Sequence, residues 1–193
     1  MTIKIPAWSF SSIKTFEQCP KKFYHLKVVK DVKDEGSAAT QYGTDLHKAA
    51  EDYIKDDKPI PEKFSFMEPY LAKLKAIPGE KLCEHKMGLK RTKGGMQPCG
   101  FFDKNVWFRG VADLLIIDDD GLKAWVIDYK TGNDKYPDRD QLVLMSLMVF
   151  AHFPHIRQVN SALLFVVKNT MVSQVMTVEE KDFHWWRYRE RVA

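Results

Sequence analysis

Two aspartates and a lysine occur in a pattern that can bind a metal ion. Residues 106–130, VWFRGVADLLIIDDDGLKAWVIDYK, contain two apolar stretches, interrupted by Asp113 and Asp128 respectively. The Asp-Gly dipeptide at 120–121 is typical of a two-residue hairpin turn. In such a hairpin Asp113 lies opposite Asp128 on one face of the sheet, and Lys130 shares that face. A four-residue loop makes the two aspartates diagonal neighbours on the same face.

Opposed carboxylates need a positive charge nearby, because they repel each other and each costs free energy when buried in an apolar strand. Two arrangements satisfy this need. Lys130 alone neutralises the pair as a structural salt bridge on a solvated face, or a divalent cation lies between the carboxylates with Lys130 beside it. Carboxylate oxygens favour Mg²⁺ or Mn²⁺. The spacing by itself leaves both arrangements open.

A histidine on a predicted helix extends this set of residues. The apolar residues of 44–56 recur at helical spacing and predict an amphipathic helix. His47 lies at the edge of the apolar stripe, where a side chain can face a cleft, and Glu51 one turn later can hydrogen-bond the imidazole. An ordinary histidine at a helix boundary is the alternative. Together with the two aspartates and the lysine, His47 makes a coherent site for a metal-dependent hydrolase.

The elements that must position these residues follow an α/β pattern with a mixed sheet. Segments 31–42 and 91–104 are predicted to be loops. The predicted helices and strands, in chain order, are two short helices within 9–30 that break at Cys19-Pro20, the helix 44–56, a helix near 66–76, strands 81–90, 105–118 and 122–130, a buried helix 139–152, strands 161–168 and 171–178, and a last helix starting at the capping-box pattern Thr177-x-x-Glu180.

Composition limits the class of protein. The chain has 193 residues, 45% hydrophobic and 29% charged, which predicts one globular domain. No apolar run approaches the ~18 residues of a membrane span, and the first twenty residues lack the apolar core of a signal peptide. Three scattered cysteines exclude a disulfide framework and favour a reducing cytoplasm. The net charge of +4 permits a polyanionic partner without requiring one.

Ordered motifs of this chain resemble those of the PD-(D/E)XK nucleases of the RecB-like type, a group that includes CRISPR-associated exonucleases. The matching stretches are Gly43-Thr44-Asp45-Leu46-His47, Gly110-Val111-Ala112-Asp113, Ile127-Asp128-Tyr129-Lys130-Thr131-Gly132 and Gln141, preceded by Ser9-Phe10-Ser11-Ser12 and Phe16-x-x-Cys19-Pro20-x-x-Phe23. The resemblance implies a restriction-endonuclease-like αβββαβ core with N-terminal helices and a C-terminal helix. It also implies one nuclease domain over 1–193, with an N-terminal helical segment 1–42, a catalytic core 43–168 and a C-terminal strand and helix 169–193.

The same resemblance implies metal-dependent hydrolysis of DNA, either single-stranded or at duplex ends, in the cytoplasm of a bacterium or a phage-infected host. His47, Asp113, Asp128 and the carbonyl of Tyr129 are then the ligands of Mg²⁺ or Mn²⁺, and Lys130 positions or deprotonates the attacking water. An exonuclease of recombination, repair or phage genome processing is favoured. A structure-selective endonuclease on the same scaffold and a catalytically idle DNA-binding module are the alternatives.

Two departures from the family pattern concern a glutamine and a cysteine. Relatives often carry Gln-x-x-x-Tyr after the lysine motif, whereas here Gln141 is followed by Met145. Gln141 either contacts DNA or the site, or completes a capping box with Asp138. Some relatives hold a [4Fe–4S] cluster, for which Cys19 is in the first ligand position. Because no cysteine follows Cys99, we expect no iron–sulfur cluster and expect Cys19 to pack in the helix junction.

Further residues are candidates for the edge of the site and for DNA binding. Glu84 on the first strand is either a residue of the site edge, where relatives often have a glutamate, or solvated strand surface. Basic residues near aromatic ones suit a groove for a single DNA strand, and equally a solvated hairpin tip. The basic residues are Lys86, Lys90, Arg91 and Lys93, and the aromatic ones are Phe101, Phe102 and Trp107.

Overall fold

The computed structural model describes residues 6–33 and 36–192. Residues 1–5 and 34–35 of the predicted N-terminal segment, and residue 193, lie outside the described residues. The α-helices are α1 (Phe10–Gln18), α2 (Pro20–Phe23), α3 (Ala38–Asp56), α4 (Glu68–Ala76), α5 (Arg139–His152) and α6 (Lys181–Arg191). The strands are β1 (Glu80–Thr92), β2 (Gly95–Cys99), β3 (Val106–Ile117), β4 (Lys123–Lys130), β5 (Gln158–Phe165) and β6 (Thr170–Thr177). A π-helical turn follows α2 at Tyr24–Val29, and 3₁₀ turns precede α4 at Glu62–Met67 and α6 at Val178–Glu180.

The strands form one mixed six-stranded sheet in the order β2-β1-β3-β4-β5-β6. Strands β4 and β5 are parallel, and every other neighbouring pair is antiparallel. A parallel pair needs a crossover connection, and α5 supplies it. The predicted α/β class with a mixed sheet flanked by helices is confirmed.

Helices cover both faces of the sheet. One core cluster joins the sheet to α1, α5 and α6 through residues such as Ile13 and Trp185. A second cluster joins the opposite face to α3 and α4 through residues such as Leu46 and Leu71. Helix α5 is buried from Leu142 to Phe150, as expected of a helix that is apolar all round. The site residues of α3 and α5 therefore approach the sheet from opposite sides.

The β3–β4 hairpin has the predicted register but a different turn. Leu114 pairs with Ile127, and Ile117 pairs with Ala124, as a two-residue loop at 120–121 predicts. The backbone N–H of Asp118 instead donates to the carbonyl of Lys123, so the loop consists of residues 119–122. The predicted loop length is wrong, yet the longer loop is centred on the same point and leaves the register unchanged.

Both predicted loops contain regular structure, and both predictions are wrong in part. Helix α3 begins at Ala38, within the predicted loop 31–42, because the Ser37 hydroxyl caps it by accepting from the N–H of Thr40. The added turns are exposed and lack an apolar stripe, so periodicity does not reveal them. Strand β2 lies within the predicted loop 91–104. Its glycine and proline are typical of loops, but both residues also occur in edge strands.

Some other boundaries agree with the sequence, although β5 begins and ends three residues before the predicted strand 161–168. Helix α5 spans the predicted 139–152, and Ser9 caps α1 in a reciprocal pair with Ser12. The junction cysteine is an exception, since Cys19 is exposed and its Sγ accepts from the N–H of Lys22 at the start of α2. In the described part of the chain, no helix has the length and apolar character needed to cross a membrane.

Candidate active site

The site lies where β4 separates from β3. The β3–β4 ladder stops at Leu114–Ile127, immediately before Asp113 and Asp128. Further back along β3, the neighbour is Trp8, whose carbonyl accepts from the N–H of Arg109 at 2.7 Å. The stretch of β3 between these two partners faces a gap in the sheet. Side chains at the gap can therefore converge on a ligand without interrupting a continuous ladder.

The regular alternation of side chains between the two faces of the sheet is interrupted beside Asp113. Residues on either side of Glu84 in β1 pair with residues on either side of Asp113 in β3, so the two carboxylates lie at the same level. Glu84 has a left-handed backbone with φ 49°, which is unusual for a residue with a side chain. Ala112 and Leu115 pack in the same core cluster, although strict alternation places residues three apart on opposite faces. Strained backbone of this kind is typical of functional sites.

Three side chains from three elements form a compact group of donors. His47 Nδ1 lies 3.3 Å from Asp113 Oδ1 and 4.0 Å from Glu84 Oε1. One donor atom from each of these residues lies within 4.8 Å of the other two, a spacing that can hold a metal ion. Asp113 is only 9% exposed, and its Oδ2 accepts from the N–H of Tyr129 at 2.7 Å. The Tyr129 carbonyl in turn lies 3.0 Å from His47 Nε2.

Asp128 completes the acidic set from β4. Its Oδ1 accepts from Gln141 Nε2 at 2.5 Å, and Lys130 Nζ lies 2.5 Å from its Oδ2. The lysine contact is ionic, and Oδ2 is buried with no aligned hydrogen bond from the described residues. Burial and the charge of Asp113 raise the pKa of Asp128 to about 6, although Lys130 acts in the opposite direction. One lysine therefore does not fully neutralise this carboxylate.

The protonation of the neighbouring groups shows the same shortage of positive charge. Burial lowers the pKa of His47, but its hydrogen bond to Asp113 and the Tyr129 carbonyl outweigh burial, and the pKa is raised overall. The pKa of Glu84 is raised by burial and by the charge of Asp113. A divalent cation fits this environment, because it supplies further positive charge to hard oxygen donors, including the carboxylates of Asp113 and Asp128.

The structure brings together most of the residues that the sequence singled out. Lys130 and Gln141 both contact Asp128, while the Asp138 side chain pairs with Lys14 at 2.9 Å, so the capping alternative for Gln141 is not observed. Glu84, which the sequence left as either a residue of the site edge or solvated strand surface, lies within the group of donors. The sequence does not reveal this position of Glu84, because it depends on a left-handed backbone that residue spacing does not encode.

One expected contact is wrong. Glu51 forms ion pairs with Lys48 at 3.1 Å and Lys55 at 3.6 Å along α3, rather than a hydrogen bond to His47. Both lysines are within one turn of Glu51 on the exposed side of the helix, so the glutamate is neutralised locally. Asp113 takes its place as the carboxylate beside the imidazole.

The basic residues predicted to bind DNA do not form one patch. Lys86 Nζ lies 6.0 Å from the ring centre of Phe101. Arg91 and Lys93 instead line a separate cleft of about 670 Å³ beside α6. Lys90 is partly buried in β1, where the antiparallel ladder shifts register. The sequence placed these residues together because they are close along the chain, whereas the hairpin of β1 and β2 spreads them in space.

Comparison with known proteins identifies the family. The model of the PD-(D/E)XK nuclease superfamily matches residues 7–192, and the chain therefore belongs to this superfamily. The resemblance seen in the motifs is thus confirmed. The family acts on nucleic acid and uses divalent metal ions, which agrees with the group of His47, Glu84 and Asp113.

Two solved structures are similar to this chain. One is SSO0001, with 11% identity and a TM-score of 0.46, covering 100% of this chain and 78% of that chain. The other is a "putative exonuclease" from Eubacterium rectale, with 14% identity and a TM-score of 0.49, covering 96% of this chain and 80% of that chain. A search of curated protein sequences found no match.

Proposed function

We propose that this protein is a Mg²⁺- or Mn²⁺-dependent deoxyribonuclease that hydrolyses phosphodiester bonds. The observation that carries the proposal is the donor group of His47, Glu84 and Asp113, which lies next to the buried carboxylate of Asp128. The positive charge of Lys130 does not offset the effects of burial and of Asp113 on the pKa of Asp128. Membership of a nuclease superfamily supports the same chemistry.

The residues that would hold the cation are Asp113, Asp128, His47 and the carbonyl of Tyr129, and the structure adds Glu84 to this set. When bound, the ion stabilises the charge that develops on the phosphate and lowers the pKa of a water molecule. His47 must lose a proton to bind a metal, so the imidazolium that bridges Asp113 and Tyr129 competes with the cation.

Lys130 and Gln141 act on either side of Asp128. Gln141 holds Oδ1 through its amide and thereby orients the carboxylate. The Lys130 ammonium lies beside Oδ2, where it is placed to orient the attacking water and to offset phosphate charge. Lys130 and Gln141 also line a cleft, which gives a substrate access to this position.

Within this proposal we favour an exonuclease of DNA recombination, repair or phage genome processing, acting in a bacterial or phage-infected cytoplasm. This finer assignment rests on the resemblance of the motifs to RecB-like nucleases. We also keep the division into an N-terminal segment 1–42, a core 43–168 and a C-terminal segment 169–193 as part of the proposal. A structure-selective endonuclease is the second candidate on the same site.

The test is cleavage of end-labelled linear single-stranded and duplex DNA, and of covalently closed circles, with Mn²⁺, Mg²⁺ or EDTA. Asp128→Asn is compared with wild type. Asp119→Asn is the matched control, because Asp119 is an exposed aspartate in the turn of the same hairpin. We expect metal-dependent loss of linear DNA by wild type and the control, and none by Asp128→Asn.

Each outcome decides a part of the proposal. Cut circles identify an endonuclease at the same site. Equal cleavage by Asp128→Asn and wild type shows that the site is misassigned. DNA retention in a gel shift without cleavage under any condition identifies a binding module that kept the fold.

A further inference from the structure

A cleft of about 680 Å³ opens directly beside the proposed catalytic residues. Lys130 and Gln141 line one part of it, and Phe101 and Arg109 line another. The cleft occupies the gap between β4 and the Trp8 segment, and residues at the start of α1 contribute to its wall. A molecule that enters the cleft therefore reaches Lys130 and Gln141, the two residues that contact Asp128.

The charge of the cleft suits a polyanion. Lys27, Lys30, Arg109 and Lys130 are among its lining residues, and none of the described lining residues is acidic. The serine-rich start of α1 also faces the cleft, and its N-terminal end carries partial positive charge. These cations extend the positively charged surface beyond Lys130. Phosphates further along a bound strand would therefore also lie near positive charge.

Aromatic rings stand next to these cations. The Arg109 guanidinium lies 5.3 Å from the ring centre of Phe101 and 5.7 Å from that of Phe102. The Phe102 ring is 78% exposed despite these contacts, a costly position for an apolar side chain. Arg109 Nε is buried and has no hydrogen-bond partner among the described residues. A stacking surface with an unsatisfied donor is therefore present at the end of the cleft.

We propose that this cleft binds a single DNA strand, with its bases stacked on Phe102 and Arg109 and its phosphates near Lys27 and Lys30. The inference rests on the proposed nuclease function and specifies its substrate as unpaired DNA. Bases inside an intact duplex are stacked on each other and paired, so apart from the terminal base pair they cannot stack on a protein ring without being unpaired. Basic grooves with exposed aromatic rings are typical of single-strand binding.

The experiment measures binding without cleavage. Fluorescence anisotropy in EDTA follows a labelled oligothymidine strand and a labelled blunt duplex binding to wild type, Phe102→Ala, Arg109→Gln and Lys27→Ala. Phe183→Ala and Lys55→Ala are the matched controls, because both residues are exposed and neither lines the cleft. Circular dichroism checks the folding of each variant, and Phe102 and Lys27 are exposed enough to be replaced safely.

We expect Phe102→Ala to weaken single-strand binding about tenfold, in line with the loss of one stacked base, and duplex binding by less than about twofold. Lys27→Ala reduces the slope of log affinity against log salt by about 0.7, whereas Phe102→Ala leaves that slope unchanged. Single-strand binding by Phe102→Ala and Arg109→Gln equal to that of Phe183→Ala overturns the inference. An equal loss for strand and duplex overturns it as well.

Failure of the nuclease proposal gives a different result. A wild-type protein that cuts no DNA, yet loses single-strand binding on Phe102→Ala, contradicts the proposed catalysis and supports the binding cleft. A protein that cuts DNA while its strand binding is insensitive to Phe102 and Arg109 supports the catalysis and contradicts the cleft.

Discussion

At the scale of single residues, the site consists of carboxylates held in unfavourable surroundings. The Asp128 side chain is only 13% exposed and lies beside the charge of Asp113, and Glu84 has a left-handed backbone. Neither feature contributes to the stability of the fold, and both are explained by a cation that the carboxylates share. Two predictions follow from the free-energy cost of each feature without metal.

Asp128→Asn is expected to raise the free energy of unfolding in EDTA at pH 7.5 by roughly 1–3 kcal/mol. The pKa of Asp128 is about 6 in the folded protein and 3.8 in the unfolded chain, so folding favours its protonated form. Its contribution to stability is therefore present below pH 3.8 and lost as the pH rises through 6. Urea denaturation at pH 7.5 and pH 4 measures the difference.

The gain from Asp128→Asn should shrink strongly at pH 4, while Asp119→Asn serves as the control with little effect at either pH. A variant that is less stable than wild type at pH 7.5 would show that Lys130 and Gln141 already stabilise the charged carboxylate.

Glu84→Gly is expected to be more stable than Glu84→Gln by about 1 kcal/mol in EDTA, because glycine adopts the left-handed backbone without a steric cost. Both variants remove the same charge, so their difference isolates the backbone strain. Urea denaturation at pH 7.5 measures it. Equal stability of the two variants would contradict strain at this residue.

At the scale of elements, the site depends on β3 and β4, which are hydrogen-bonded to each other at one end and separate at the other. Strands β3 and β4 are paired from Leu114 to Ile117, next to the turn, and they diverge before Asp113. The chain enters β1 through a tight turn at Gly79, next to the end of β3. The turn sets the level of β1 relative to β3, and hence that of Glu84 relative to Asp113.

Gly79→Ala is expected to lower the free energy of unfolding by about 2–4 kcal/mol. Gly79 has φ 118°, and an added Cβ would overlap the carbonyl of Ile117. Gly100→Ala is the control, expected to be within about 0.5 kcal/mol of wild type, because Gly100 has open space and an ordinary backbone. Urea denaturation that ranks the two variants equally would contradict the close approach at Gly79.

At the scale of the whole molecule, the site connects elements that pack on opposite faces of the sheet. His47 comes from α3, Glu84 from β1, Asp113 from β3, and Asp128 from β4, while Gln141 approaches from α5. A cation bound here joins all of these elements, and any ligand that binds only the folded state stabilises it. Metal binding should therefore stabilise the whole domain in one cooperative transition.

Mn²⁺ at about 100 times its Kd is expected to add about 2.7 kcal/mol of stability, which raises the Tm by roughly 5–10 °C for a chain of this length. Differential scanning calorimetry with Mn²⁺ and with EDTA measures the shift. Asp113→Asn should lose most of it, and Asp119→Asn should retain it. The same shift in Asp113→Asn and wild type would place the metal elsewhere.

Much of the site follows from the sequence because its signals are local. Asp113 and Asp128 interrupt apolar strands on either side of a turn, and a hairpin register depends only on where that turn is centred. The helix that carries His47 is recognised by its apolar stripe, and the buried α5 by its continuous apolar run. The grouping of these candidate site residues was therefore predictable from residue types and spacing, whereas the choice of a metal site over a salt bridge was not.

Tertiary structure alone decided how that site is completed. The position of Glu84 depends on a left-handed backbone in β1, and the cleft depends on Trp8 pairing with β3 in place of β4. Arg109 shares this cleft with Lys130, and Phe102 in the loop before β3 lies beside Arg109. Contacts between segments far apart in the chain arise from packing, which periodicity and spacing do not encode.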